Sequence, residues 1–271
     1  MPNKKAIIVV SFGTANDEIR VLCIESVENR IKLSFPEYEV RRAFTSNFII
    51  KKLSERDIYV DTLSQALEKL KAEGAQEVII QSTHLTPGEE YANKVIAVAD
   101  EYKGAFKTLT VGRPVLMFDG SDHTADDFSI AVQAIKSQIH CNEADTEVVF
   151  MGHGSPHQHN PAYERLQKKL DEAEENITIG VLEGSDYPNI KDVLARLAGK
   201  PNIKKVLLMP FLLVAGNHVV HDMNGEKESS WKNTITNAGY LVDVYLHGLG
   251  ENVAMQDIYV QHIKDVIINK T

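Results

Sequence analysis

Short runs of Val, Ile and Leu alternate along the chain with longer segments whose apolar positions recur at helical spacing. This alternation predicts an α/β fold in which a mainly parallel sheet is covered by helices. Eight strands are expected, at 5–11, 38–44, 76–82, 107–112, 146–151, 178–182, 204–209 and 240–245. The helices between them carry their own boundary signals. Asn160-Pro161 supplies an N-cap and a first-turn proline ahead of Ala162-Tyr163-Glu164-Arg165-Leu166, and the segment 62–73 ends at Gly74, a plausible C-cap.

The pattern also repeats at low similarity. Ile80 through Tyr91 lies over Leu208 through Val219 without a gap, and Val10-Ser11-Phe12-Gly13-Thr14 lies over Met151-Gly152-His153-Gly154-Ser155. Two related halves would meet near residues 115–130, where Asp119-Gly120-Ser121-Asp122 marks a turn. The expectation is two similar α/β domains, 1–125 and 126–271, facing each other across a cleft.

Composition narrows the class without deciding it. The 271 residues allow ample core and include no low-complexity tract. A formal charge of -9 argues against a nucleic-acid partner, which dense Lys/Arg contacts to phosphate would require. Lys4-Lys5 before Ala6-Ile7-Ile8-Val9-Val10-Ser11 resembles an export signal, but the apolar run is short and ends in Gly13-Thr14, so it reads as the first strand. No apolar stretch approaches a membrane span, and the expected address is the cytoplasm. Cys23 and Cys141 form no metal or disulfide spacing; Cys23 falls on a helical face with Ile19, Leu22 and Val27, which reads as packing.

Candidate chemistry concentrates at strand ends. Val148-Val149-Phe150-Met151-Gly152 delivers His153, and Val206-Leu207-Leu208-Met209-Pro210 leads on to Gly216-Asn217-His218. Ligands of open α/β sheets sit beyond the carboxyl ends of the strands, so a two-imidazole metal site is the leading idea. A first helical turn at His218 would favour its neutral, metal-binding form. Under the overlay His153 corresponds to Phe12 and His218 to Glu90. Glu183 leaves another buried run, Ile179-Gly180-Val181-Leu182, and Glu89 and Glu90 follow Gly88. His84 ends the third strand, His157 and His221 stand at helical spacing from His153 and His218, and His159 reads as a solvated loop residue. His123, His140, His247 and His262 show no arrangement that singles them out. No phosphate loop, dinucleotide fingerprint or serine elbow is present.

At this point the chain resembles the anaerobic sirohydrochlorin cobaltochelatases, within the class II chelatases. The likeness rests on Val9-Val10-Ser11-Phe12-Gly13-Thr14, Arg42-Ala43-Phe44-Thr45-Ser46, Gln81-Ser82 with His84, Gly88-Glu89-Glu90-Tyr91, Phe150-Met151-Gly152-His153-Gly154, Leu213-Val214-Ala215-Gly216 with His218 and Asp222-Met223, and Gly248-Leu249-Gly250-Glu251-Asn252. The resemblance implies two α/β domains flanking a tetrapyrrole cleft and insertion of Co(II) into sirohydrochlorin, with two protons released, in cobalamin synthesis. It implies a divalent metal as substrate, no organic cofactor, and His153, Glu183 and His218 as metal ligands. His153, His218 and Glu90 become the catalytic candidates, and Ser11, Phe12, His84 and Leu85 the substrate contacts. Arg41, Arg42, Lys51 and Arg113 are the cations nearest to hand for the substrate's carboxylates. The stretch from Glu183 to Tyr187-Pro188 is longer than in the family. Homo-oligomerisation stays open, as do an iron or nickel chelatase and a non-catalytic carrier of metal or tetrapyrrole.

Overall fold

In the computed structural model, which describes residues 4–121, 124–141, 143–155 and 159–268, the chain forms two compact units. One is built from the residues up to Met117 together with those from Val253 onward; the other is Phe118–Asn252. His123 and His157 lie outside the described residues.

The first unit carries a parallel sheet of β1 (Lys5–Ser11), β2 (Glu39–Phe44), β3 (Glu77–Ser82) and β4 (Thr108–Gly112), in the order β2-β1-β3-β4. The second carries β5 (Thr146–Gly152), β6 (Ile177–Val181), β7 (Lys205–Pro210) and β8 (Leu241–Val244), in the order β6-β5-β7-β8 and again parallel. Every strand end falls within one residue of the expected one. The central runs β1, β3 and β5 are the easiest to read because both faces are covered, so their apolar side chains follow one another, whereas the edge strands β2 and β8 carry polar and exposed positions.

The repeat is reproduced in register. Lys5 pairs with Glu77 in the first sheet and Thr146 with Lys205 in the second, positions that correspond under the overlay. The cores correspond as well: Ile8, Val10, Val78, Ile80, Tyr91 and Val95 are matched by Val149, Met151, Val206, Leu208, Val219 and Met223, all buried. Gly13 (φ 102°) and Gly154 (φ 81°) share one place in the two halves and one left-handed conformation. A Cβ would lie 2.6 Å from the Phe44 ring at Gly13 and 2.8 Å from Val181 at Gly154, so neither position has room for a side chain.

Helix boundaries follow local capping chemistry. Thr62 and Gln65 form a capping box before the helix Leu63–Ala72, which is followed by Gly74 in a left-handed conformation (φ 74°). Asn160 Oδ1 accepts from Ala162 N at 3.1 Å, opening the helix Ala162–Glu172.

Two expectations differ from the structure. The helix Val253–Ile268 packs on β3 and β4, so the end of the chain belongs to the first unit and not to a domain running 126–271. Tyr259 is wholly buried there and donates to Thr83 O at 2.9 Å, while Asp257 and Asp265 pair with Arg30 and Arg113. The second difference concerns Cys23. It is buried with Ile24, Val27 and Ile31, whereas Leu22 is exposed, because the widened π-type turn Arg20–Glu25 rotates the apolar face by a residue. No helix among the described residues is long and apolar enough to cross a membrane.

Candidate metal centre

In each sheet the first strand is central, and the connections leaving it and its neighbour run to opposite sides. That makes the carboxyl ends of β1 and β3, and of β5 and β7, the topological switch points at which such sheets bind ligands.

At the second of these the structure brings the two histidines together. His153 follows β5 directly, and His218 stands at the start of the π-type turn Val219–Met223 beyond β7. Their ring centroids lie 4.9 Å apart with the planes nearly perpendicular, at 87°. Each ring is held through Nδ1. His153 Nδ1 donates to Gly154 O (3.1 Å) and His218 Nδ1 donates to a carboxylate oxygen of Asp222 (2.8 Å). A carbonyl and a carboxylate can only accept, so the proton of each neutral ring sits on Nδ1 and Nε2 presents a lone pair. Two imidazoles with free Nε2 atoms at one switch point are what a divalent metal needs from its first two ligands.

Glu183 comes close in backbone terms: its N–H donates to His153 O at 3.0 Å. Among the described residues, however, no three His, Cys, Asp or Glu side chains converge as a metal-holding group. The structure thus gathers the histidine pair and brings Glu183 to it through the backbone alone. His221, three residues past His218, is exposed and forms no such pair with it.

The remaining candidates sit at the first switch point. Ser11, the last residue of β1, is buried and accepts from Thr83 Oγ1 at 2.9 Å. Phe12 follows it and is 54% exposed. His84 follows β3, and its Nδ1 meets Ser82 Oγ at 2.7 Å. The Ser82 hydroxyl already accepts from the His84 backbone N–H (3.2 Å). His84 Nε2 is a buried atom without a hydrogen-bond partner. Burial pushes the His84 pKa down to about 4, opposed by the Glu90 charge. Glu90 lies in the short helical turn Glu89–Tyr91 after Gly88, and Leu85 gives its carbonyl to Leu116 N at 2.8 Å.

The cations expected to meet carboxylates are mostly engaged within the unit. Arg42 forms a two-pronged pair with Glu28, Arg41 pairs with Glu39 and Glu73, and Arg113 pairs with Asp265. Lys51 stands exposed on the helix Asn47–Ser54. Except for Glu39, two residues from Arg41, these partners come from other segments, so pattern reading could not anticipate them.

Two carboxylates that bond histidines were given no role by the sequence reading. Asp222 orients His218 from an i,i+4 position, a spacing that was visible in the sequence. Asp186 has no comparable signal. It meets His159, which is an exposed loop residue as expected but is tied down on both sides: its Nδ1 and Nε2 bond to Asp186 (2.8 Å) and Glu164 (2.7 Å).

A family model described as cobalt chelatase (CbiK) matches residues 5–268. The chain is 37% identical over 265 residues to the sirohydrochlorin cobaltochelatase of Salmonella typhimurium, covering 97% of each. It is 31% identical over 262 residues to sirohydrochlorin cobaltochelatase CbiKC of Nitratidesulfovibrio vulgaris, covering 96% of this chain and 89% of that protein. Among solved structures it is similar to SirB from Bacillus subtilis with Fe3+, at a TM-score of 0.64 and 14% identity, covering 98% and 97% of the two chains; at that identity the likeness concerns the fold alone. The family match spans both sheets and both switch points, and the chain belongs to the CbiK cobalt chelatase family.

Proposed function

We propose that this protein inserts Co(II) into sirohydrochlorin, releasing two protons, as a cytoplasmic enzyme of cobalamin synthesis. The observation that carries the reading is the perpendicular His153–His218 pair with both Nε2 atoms available. Two relatives named for this activity support it across nearly the whole chain.

In this reading His153 and His218 bind the incoming ion, and Glu183 serves as third ligand or charge balance. A site with so few protein ligands leaves coordination positions for the macrocycle and can surrender the metal, unlike a closed structural site. Metal insertion displaces the two pyrrole N–H protons, so the site also needs bases. A histidine relieved of the metal, or Glu90, fills that role near neutral pH. Phe12 and Leu85 offer apolar surface to the ring, with Ser11 and His84 beside them.

The test is anaerobic mixing of the purified protein with sirohydrochlorin and Co(II), Fe(II) or Ni(II), followed by absorption. Catalytic turnover fastest with Co(II) is expected. Faster turnover with Fe(II) or Ni(II) would make it a chelatase of another metal, and stoichiometric binding without turnover would make it a carrier.

A further inference from the structure

The loops leaving β5 and β6 are fastened by one carboxylate that belongs to neither the sheet nor the histidine pair. The Asp186 side chain has no exposed surface. Its Oδ2 accepts from Ser155 N at 2.8 Å. Its Oδ1 accepts from Tyr187 N (2.8 Å), Asn160 N (3.2 Å) and His159 Nδ1 (2.8 Å). Ser155, His159 and Asn160 belong to the loop that leaves β5 through His153; Asp186 and Tyr187 belong to the loop that leaves β6 through Glu183. Four donors from two loops meet the demand of a buried carboxylate, which is costly to bury unless fully hydrogen-bonded.

Two neighbouring features make the fastening directional. Leu182 N and Glu183 N donate to Gly152 O (2.9 Å) and His153 O (3.0 Å), so the loops already run side by side at the histidine itself. On the far side, His159 spans Asp186 and Glu164 and donates to both, as a protonated ring does; hydrogen bonding to Asp186 and then Glu164 raises its pKa.

The first unit supplies an internal control. It repeats the two backbone bonds, as Thr45 N to Ser11 O (2.9 Å) and Ser46 N to Phe12 O (3.2 Å). Yet the place of Asp186 is held there by Ile49, inside the helix Asn47–Ser54. The repeated fold therefore does without this carboxylate, and it occurs only in the half that carries the paired imidazoles.

We propose that Asp186 is a positioning residue for metal binding: by locking the His153 loop to the Glu183 loop it holds the His153 ring at its distance from His218. The proposal rests on the metal reading of that pair. Displacing a ligand through the groups that orient it ordinarily weakens metal binding by about 10- to 100-fold.

The experiment is titration of the purified full chain with Co(II), followed by cobalt absorption bands, alongside KM values for Co(II) and for sirohydrochlorin. D186A is expected to bind Co(II) about tenfold more weakly and to raise the KM for Co(II) by a similar factor. The KM for sirohydrochlorin should stay within about twofold, since the clamp is argued to act on the metal loop. D186N keeps an oxygen for three of the donors and sets an amide against Ser155 N–H; it should weaken Co(II) binding by about threefold, and it decides the matter if D186A does not fold. Wild-type Co(II) affinity in the folded variant, or equal increases in both KM values with a lowered Tm, would overturn the proposal. H153A run in parallel separates the two claims: if it loses Co(II) binding while D186A does not, only the positioning role falls, and if H153A binds normally, the metal reading falls.

Discussion

Removing the Asp222 carboxylate tests whether His218 works as an oriented ligand. The bond from His218 Nδ1 to Asp222 Oδ2 is 2.8 Å long and joins residues one helical turn apart. It fixes both the tautomer and the ring plane, and outer-shell partners of this kind are ordinarily worth 10- to 100-fold in metal affinity. Both side chains here are nearly half exposed, at 48% and 45%, so water screens the charge and can partly replace the acceptor. The lower end of the range is therefore expected for D222A, about tenfold weaker Co(II) binding, or about 1.4 kcal/mol. D222N retains a neutral acceptor for Nδ1–H and should lose only about threefold. Co(II) titration with a thermal melt as the folding control measures both. If D222A folds and binds Co(II) as tightly as the parent, the tautomer argument for His218 is refuted.

Two further expectations follow from the backbone and from burial. Gly154→Ala should destabilise the protein by about 1–3 kcal/mol through the left-handed backbone, or by more if Val181 cannot yield, whereas a harmless substitution would contradict the φ of 81° and the 2.8 Å approach to Val181. His84 should titrate near 4 by NMR. Because its folded pKa lies below the unfolded value of 6.5, its contribution is full above pH 6.5 and lost as pH falls toward 4, about 3 kcal/mol in all; an ordinary titration near 6.5, or an H84N variant with the same acid sensitivity, would remove the basis for this.

The central strands were legible because burial on both faces writes continuous apolar runs, and their repeat was legible because the same core positions recur from Ile8 to Val149 and from Ile80 to Leu208. The histidine pair was legible for a related reason: topology places the ends of β5 and β7 at one switch point, and both imidazoles lie on the segments that leave those ends. Allegiance was harder to read. The apolar face of Val253–Ile268 says that the helix packs, but not on which sheet, and it joined the first unit. The same limit applied to charge, since Arg42 and Arg113 found Glu28 and Asp265 through contacts that no local spacing announces. His159 looked solvated for want of a visible partner, and Asp186 supplied one from 27 residues away.

Steady-state cobalt insertion by His153→Ala and His218→Ala, measured beside the parent protein on sirohydrochlorin, tests the central claim most directly. Each substitution removes one of the two proposed Nε2 ligands and should lower turnover by about 100-fold or more while leaving the melting profile and sirohydrochlorin binding close to those of the parent. Near-normal cobalt insertion by either folded variant would contradict the assignment of that histidine to the metal.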